Sequence, residues 1–324
     1  MATPIWTTNT LPEQYTGDFN QRYFDKTIAY LKGPNTLLKR ATRIVNTTKN
    51  NWKGTITTLT GNWGEVAEGI QEAPTVRPQK VGDMEARIKL VKGVLAVSRE
   101  QVEDDVASGS GYVASLAPKF AERGPKMLEL DITDAFFNRA FTYDALRDVR
   151  DGVALLGTTH KAGLTGLTYA NKPAVAAALS ETALFAGIAY FRSGILDDSG
   201  DLMPLLNVTS FDLFVHPSQE GYAHQLVKSL SSTADNKNEG VINPVGPNGL
   251  FSINVIPLPY LTNTKAWFLM PRGEQSGLIV LMRTMPGAPE RIQRQNPDQW
   301  QWQGRMRYGL FVDDPRMIYG SEGQ

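Results

Sequence analysis

The sequence predicts an α+β protein in which an extended two-stranded ribbon, a long helix and a block of alternating strands and helices follow one another. Runs rich in β-branched residues at 54–60 and 86–97 are typical of strands, and the stretch between them is acidic and then rich in Pro and Thr. Apolar residues recur at helical spacing from Leu128 to Ala140. From Gly152 onward, strand-like and helix-like segments alternate, which is typical of an α+β domain.

Composition excludes several kinds of site and partner. The 324 residues include 33 basic and 33 acidic side chains, so the formal net charge is zero. A protein whose main partner is nucleic acid usually has a basic excess, whereas balanced charge permits dense self-association. The chain has no cysteine, which excludes disulfides and thiolate metal sites. Residues 1–20 lack the pattern of a signal peptide, and no apolar stretch approaches the length of a membrane span.

The first 53 residues are polar and irregular, and they carry eight basic and three acidic side chains. This pattern predicts an N-terminal arm over 1–53. Two interpretations stay open: a solvated arm or helix face, and an arm that docks on a neighbouring molecule or faces a polyanion.

The predicted ribbon, over 54–97, has only one good apolar face. Polar and apolar residues alternate in Arg87-Ile88-Lys89-Leu90. A two-stranded ribbon cannot bury a core by itself, so this segment needs another surface. That surface could belong to another subunit.

Two helices are predicted after the ribbon. The first is capped by Ser98 and ends at Gly109-Ser110-Gly111. The second is predicted from near Pro118 to Phe141, with a kink at Gly124-Pro125. Its apolar stripe indicates core packing and not a cofactor site.

The remaining elements alternate between helix and strand. The predicted helices lie at 180–191 and 218–230. The predicted strands lie at 211–215, 253–257, 266–270, 277–281 and in the last stretch, 290–320.

No motif indicates catalysis, a bound cofactor or a metal ion. The segment Gly109 to Ala114 matches a loose G-x-G-x-x-A pattern, with Asp131 following at a suitable distance. A dinucleotide-binding loop must follow a strand and open a helix toward phosphate. Here Glu103-Asp104-Asp105 precede the glycines and would repel a pyrophosphate. A hinge is therefore the favoured interpretation.

The histidines, adjacent carboxylates and tryptophans also favour structural roles. His216 and His224 are too far apart for a metal pair on one helix, and no G-x-S-x-G elbow accompanies His160 in its polar turn. Adjacent carboxylates point apart, so turn and cap roles are predicted for them. Trp300 and Trp302 could stack on bases, but such a pair more often packs into protein. The adjacent carboxylates are Asp104-Asp105, Asp197-Asp198 and Asp313-Asp314.

Four segments carry a family resemblance. They are Lys92 to Asp105 with the long helix after it; Asp151 to His160 with Asn171 and Ala178-Leu179-Ser180; Val255 to Leu269; and Tyr308-Gly309 with Asp314-Pro315-Arg316 and Ile318-Tyr319-Gly320. Their order and spacing across residues 85–320 resemble the major capsid (head) proteins of tailed bacteriophages, in particular phage Mu-like major head subunits. That family has the Hong Kong 97-type capsid fold. The N-terminal 50 residues lie outside the resemblance.

The resemblance implies a domain plan. An N-terminal arm (1–53) leads into an extended β-hairpin loop (54–97). A peripheral domain with a long spine helix then comprises 98–150 and 286–324, and an axial domain comprises 151–285.

The resemblance also implies a function. Copies of a major capsid protein, without enzymatic activity or cofactor, would form pentamers and hexamers of an icosahedral head shell around double-stranded DNA. The implied partners are other copies of the chain, packaged DNA bound non-specifically, and portal, scaffold and decoration proteins, with no membrane. The implied location is the virion, after assembly in the host bacterial cytoplasm.

Within this plan the ribbon would lie over the next subunit, and its charges would pair across that contact. The acidic candidates are Glu65, Glu68 and Glu72, and the basic candidates are Arg77, Lys80 and Arg87. The arm would lie on the inner wall near DNA, with Lys39, Arg40 and Arg43 as its candidate residues.

Three other functions stay open. An encapsulin-type compartment shell shares the fold, a soluble α+β enzyme would be a compact monomer, and a tail or head-completion protein would form a single ring or tube. Composition alone predicts only a soluble α+β protein.

Overall fold

Thirteen strands and four helices make up the part of the chain that the structure, a computed structural model, describes. That part comprises residues 20–23, 25–27, 29, 40–60, 77–148, 150–229, 243, 245–246, 249–273, 276–284, 289–292 and 299–324. The strands are β1 (Arg43–Asn46), β2 (Asn51–Thr60), β3 (Arg77–Arg87), β4 (Lys89–Ser98), β5 (His160–Lys161), β6 (Thr168–Tyr169), β7 (Ser210–Val215), β8 (Ser252–Pro257), β9 (Trp267–Pro271), β10 (Leu278–Thr284), β11 (Glu290–Ile292), β12 (Gln299–Val312) and β13 (Tyr319–Ser321). The helices are α1 (Arg99–Ser108), α2 (Tyr112–Thr133), α3 (Glu181–Ala189) and α4 (Pro217–Lys228). Two π-helical turns (Asp134–Asn138 and Tyr190–Gly194) and a 3₁₀ turn (Pro315–Met317) complete these elements.

The long strand β12 organises a five-stranded sheet. One edge of β12 pairs with β4 over ten residues, from Gln299 to Tyr308. The other edge pairs with β11 and then with β10, and β1 pairs in parallel with β10. Trp302, Met306 and Tyr308 are buried at alternate positions, as the period of two in a strand requires.

The ribbon forms, but with a different second strand from the one predicted. β2 pairs with β3, whereas the predicted partner at 86–97 mostly belongs to β4 and pairs with β12. The cause is the apolar side of β4, where Leu95 and Val97 pack against α2 in a core that a two-stranded ribbon cannot supply. Gly309 in β12 allows the end of β3 to approach closely, because a Cβ there would lie 2.5 Å from the Arg87 carbonyl oxygen.

The glycine-rich segment 109–111 is a turn between α1 and α2, so it follows a helix and not the strand that a dinucleotide-binding loop requires. Gly109 and Gly111 both have positive φ, at 63° and 67°. The Asp105 carboxylate accepts hydrogen bonds from the Tyr112 N–H (2.6 Å) and the Val113 N–H (3.1 Å). One side chain of α1 therefore caps the start of α2.

This cap explains why α2 begins at Tyr112 and not near Pro118 as predicted. Residues 112–117 gain a satisfied N-terminus from Asp105, and α2 is continuous past Pro118 and Pro125 up to Thr133. The π-helical turn then continues the rod to Asn138. The apolar stripe is core as predicted, with Leu128, Ile132, Phe136 and Ala140 buried.

The second sheet, in the order β13-β9-β7-β8, is buried on both faces. Phe211, Leu213 and Val215 face a core closed by α3 and α4. Phe214 and Phe268 face the core shared with α2 and β12. The predicted strands at 211–215, 253–257, 266–270 and 277–281 and the helices at 180–191 and 218–230 are all present, with bounds shifted by one to three residues.

Sheet membership does not follow the predicted boundary at residue 285. β10 (278–284) pairs with β12 in the first sheet, and the C-terminal strand β13 returns to pair with β9 in the second. The all-apolar run of β10 fits a central strand buried on both faces, which explains its place between β1 and β12.

A partly buried ion-pair network ties the C-terminal segment to the region before the second sheet. The Asp198 carboxylate accepts hydrogen bonds from Arg150 Nη2 (2.6 Å) and Arg316 Nη2 (2.5 Å). Burial alone raises the pKa of Asp198, but the two guanidiniums outweigh it and hold this pKa below its ordinary value. Asp197 has the predicted turn role, since its Oδ1 accepts from the Ser199 and Asp201 N–H groups. Asp105 and Asp314 have cap roles, at the start of α2 and of the 3₁₀ turn.

Through its side-chain amide, Asn171 joins residues 155–157 to the C-terminal segment at Pro315. Its Nδ2 donates to the carbonyl oxygens of Leu155 (2.8 Å) and Pro315 (2.9 Å). Its Oδ1 accepts from the Gly157 N–H at 2.8 Å. Asn171 is fully buried, so these bonds satisfy groups that water cannot reach.

We predict that Asp198→Asn destabilises the unassembled chain by about 3 kcal/mol above pH 5, since two buried guanidiniums lose their counter-ion. Because the folded pKa of Asp198 lies below the unfolded value, the wild-type advantage is present above the unfolded pKa of about 3.9 and is lost as pH falls through the folded pKa. Urea unfolding of both proteins between pH 3 and pH 7 measures this. The exposed change Asp104→Asn is the control, and equal stability of Asp198→Asn and wild type at pH 7 would contradict the assignment.

Candidate assembly surfaces

Among the described residues, the ribbon formed by β2 and β3 packs against the rest of the protein at one end. At this root, the Trp52 ring lies 4.8 Å from the Phe311 ring, between centroids. Ala86 joins Phe311, Ile279 and Leu281 in a small apolar cluster. Gly54 is required here, because a Cβ would lie 2.3 Å from the Trp52 indole.

Beyond the root the ribbon is a polar shaft. Ten register pairs run from Asn51 opposite Arg87 to Thr60 opposite Arg77. Apart from Ile56 and Met84, the described side chains of the shaft beyond Gly54 are exposed or half-buried. A shaft that buries so little apolar surface is held in shape by the hydrogen bonds between β2 and β3 and by any surface that covers it.

The ionic contacts of the shaft lie within the ribbon. Lys80 Nζ lies 2.6 Å from Asp83 Oδ2, and Lys53 Nζ lies 3.5 Å from Glu85 Oε2. The Lys80 ammonium also holds the pKa of the Asp83 carboxyl below its ordinary value. Such exposed pairs add little to stability because water and salt screen them, and they leave the ribbon free to exchange partners on assembly.

The structure describes three of the six residues predicted to lie between subunits. Arg77, Lys80 and Arg87 are exposed on β3, with Arg77 at the far end of the shaft and Arg87 at its root. The acidic candidates Glu65, Glu68 and Glu72 lie outside the described residues. Pairing between the two sets across an interface therefore stays a prediction.

Two of the three predicted arm residues have carboxylates near them in the same chain. Arg43, in β1, lies 2.9 Å from Asp313 Oδ2, and Arg40 lies 3.9 Å from Asp212 Oδ2. Asp212 is buried and also accepts from Arg272 at 2.5 Å. Lys39 lies outside the described residues, so its place on an inner wall stays a prediction. Sequence patterns could not predict the pairing of Arg43 with Asp313, because the two residues lie 270 positions apart.

The residues considered for chemistry have structural partners. His160 is buried, in contrast to the polar turn predicted for it, with its Nδ1 2.7 Å from Asp151 Oδ2 and its ring stacked on Tyr169. His216 Nδ1 accepts from the Ser218 N–H at the start of α4. Trp302 is buried beside α2, as predicted for the tryptophan pair. Within the described ranges, acidic and histidine side chains form no cluster that could hold a metal ion.

No helix among the described residues combines the length and apolar character that crossing a bilayer requires.

Comparison with known proteins agrees with this architecture. The family model described as phage capsid protein matches residues 84–321. No curated protein matches the chain. The match is to the capsid family as a whole and does not single out phage Mu-like heads.

Solved structures show the same fold at low sequence identity. The chain is similar to the virus-like particle from Pyrococcus furiosus (14% identity, 95% of this chain and 99% of that chain, TM-score 0.52). It is also similar to a Mycobacterium phage Patience chain (10% identity, 98% and 89%, TM-score 0.53). A third similar structure is the capsid of an empty GTA particle (12% identity, 90% and 90%, TM-score 0.52).

The family match extends over most of the chain, and solved capsid subunits share its fold. The protein therefore belongs to the phage capsid protein family and is a major capsid protein with the Hong Kong 97-type fold, whose copies form a shell.

Proposed function

We propose that copies of this chain close into pentamers and hexamers of an icosahedral head that encloses double-stranded DNA. The observation that carries this proposal is the ribbon, which is anchored at its root by Trp52 and Phe311 while its shaft extends without a core of its own. A projection on one copy that fits a surface on the next makes a heterologous contact, and such contacts close into rings when the rotation permits.

The receiving surface is proposed on the outer side of the first sheet. β4 is the edge strand there among the described residues, and Leu90 and Val94 on its outer face are 50% and 42% exposed. Exposed apolar residues beside an unpaired strand edge favour association with another chain. In the shell, a ribbon from a neighbour would cover them.

The domain plan is proposed with one adjustment. The two buried clusters support a peripheral unit built on α2 and β12 and an axial unit built on α3, α4 and the second sheet. Because β10 pairs with β12, we place the boundary near residue 276 and not at 285. Two further bounds change, because β1 (43–46) and β4 (89–98) belong to the first sheet. The arm keeps its proposed role only before β1, and the extended loop is limited to β2, β3 and the segment between them, residues 51–87.

The proposal includes no enzymatic step and no cofactor. Its partners are other copies of the chain, packaged DNA held non-specifically, and portal, scaffold and decoration proteins at the vertex, inner and outer surfaces. Assembly in the host bacterial cytoplasm would precede residence in the virion. An encapsulin-type shell is the less favoured alternative, since the matching family is that of phage capsid proteins. Enzyme cargo in place of DNA in purified particles would support that alternative.

Negative-stain electron microscopy with a sizing column tests assembly directly. The purified, overexpressed chain should give closed shells or rings of five and six. A uniform small monomer at high concentration, unchanged by a candidate scaffold, would contradict the proposal.

We predict that Trp52→Ala lowers shell yield by loosening the ribbon root. Loss of this half-buried ring should cost about 2 kcal/mol, less than the roughly 3–5 kcal/mol typical of a fully buried tryptophan. Hydrogen exchange should speed up in β2 and β3 while α2 stays protected. Trp300→Ala, in the cluster beside α2, is the matched control, which should leave β2 and β3 protected. Unchanged exchange in both strands of Trp52→Ala would refute the anchoring role.

We predict that Lys39→Ala with Arg40→Ala reduces genome retention without stopping shell assembly, because the arm would lose charge facing phosphate. Retained DNA per particle, measured over a salt series, reports this. The single changes Arg40→Ala and Arg43→Ala are the comparisons, since they break the 3.9 Å contact with Asp212 and the 2.9 Å pair with Asp313 and report any loss of stability. Blocked assembly in the double variant would make the arm structural.

A further inference from the structure

An open groove of about 550 Å³ lies at the root of the ribbon. Its walls are the turn between β1 and β2 (residues 46–49), Trp52 and Arg283 at the end of β10. Val45 and Met282 supply an apolar part of its lining. The groove is therefore shaped by the same residues that anchor the ribbon.

The groove is cationic, with fewer carboxylates than basic side chains among the described residues. Lys49, Lys53 and Arg283 line it, and Glu85 lies 3.5 Å from Lys53. Arg283 Nη1 is buried and has no hydrogen-bond partner within the part of the chain that the structure describes. A buried donor without an acceptor costs free energy, and a guanidinium is best satisfied by a carboxylate or phosphate. An anion that enters the groove would supply such an acceptor.

We propose that this groove binds the acidic segment 65–72 of a second copy of the chain. The inference rests on the proposed shell function and names the contact through which copies join. The segment carries three carboxylates, Glu65, Glu68 and Glu72, with apolar residues between them. Carboxylates match Lys49 and Arg283, and the apolar residues match the Trp52 side of the groove.

The chain's own segment cannot reach its own groove with both end carboxylates. From Trp52 at the groove to Thr60 at the far end of β2 is eight residues, or about 26 Å at the rise of a strand. Glu65 follows Thr60 by five residues and Glu72 precedes Arg77 by five, so each can return at most about 17 Å. An occupant that brings all three carboxylates to the groove therefore comes from another copy.

This contact would be directional. Each copy offers one groove at the root of its ribbon and one acidic segment beyond the far end of the shaft. The two surfaces differ, so the contact is heterologous and repeats around a ring. The shaft acts as a spacer that sets the distance between neighbouring roots.

A charge-swap experiment tests the proposal. Lys49→Glu with Arg283→Glu reverses the groove, and Glu65→Lys with Glu68→Lys and Glu72→Lys reverses the segment. Each set alone should lower shell yield at least about tenfold, and the two sets in one chain should restore it to within about threefold of wild type. Lys119→Glu, on the exposed side of α2, is the matched charge control and should leave yield unchanged.

Two outcomes would overturn the proposal. Either both reversed chains assemble like wild type, or the combined chain assembles as poorly as each set alone while circular dichroism shows all of them folded. If the groove reversal unfolds the chain, Lys49→Gln with Arg283→Gln replaces it and should still reduce yield. Wild-type shells in the same assay separate this failure from a failure of the proposed shell function.

Cross-linking gives an independent readout, because the chain has no native cysteine. Thr48→Cys chains mixed with Ala67→Cys chains should give a reducible dimer in assembled shells, and neither variant alone should. The double variant should give a ladder of multimers. A cross-link confined within single chains, or none in shells of normal yield, would overturn the inter-copy contact.

Discussion

Both edges of β12 must be hydrogen bonded, and the rest of the structure depends on that requirement. Each buried backbone group left without a partner would cost roughly 1–3 kcal/mol. β4 satisfies one edge, and β10 and β11 satisfy the other, so segments from distant parts of the sequence meet in one sheet. Recruitment of β4 to this sheet leaves β3 to pair with β2 outside it, and a ribbon with an exposed shaft is the result.

The ribbon and the buried charges have complementary mechanical roles. Ion pairs of Asp198 with Arg150 and Arg316 hold the C-terminal segment against the rest of the protein, and the Asp105 cap holds α1 to α2. These contacts are buried, so salt weakens them little. The ribbon, by contrast, holds its charges on the surface, where partners exchange easily. A rigid body with one adaptable projection would suit the proposed contacts between copies in rings of five and six.

Local patterns predicted most of the elements, because their causes are local. The Ser180 cap, the alternation of β7 and the stripe of α2 are properties of short stretches. The predicted start of α2 was wrong because the residue that caps the helix, Asp105, comes from the preceding helix across a glycine turn. The second strand of the ribbon was wrong because two adjacent strand-forming runs compete, and a distant strand decides between them.

The candidate surface was predictable only in outline. A coreless ribbon with clustered charge is visible in sequence, and so is the basic arm. The groove is not, since it joins residues 45–53 to Met282 and Arg283, more than two hundred positions away. Likewise, the carboxylates beside Arg40 and Arg43 are set by the tertiary fold. Neither periodicity nor composition predicts charge pairs between residues that are far apart in the sequence.

The central claim is that the ribbon of one copy joins it to the next in a closed shell. An electron cryomicroscopy map of shells formed by the unmodified chain tests this most directly. The account predicts that the β2–β3 shaft crosses onto a neighbouring subunit, with residues 65–72 at the neighbour's groove beside Arg283. Shells in which every ribbon lies against its own chain, or a chain that forms no shell at all, would contradict it.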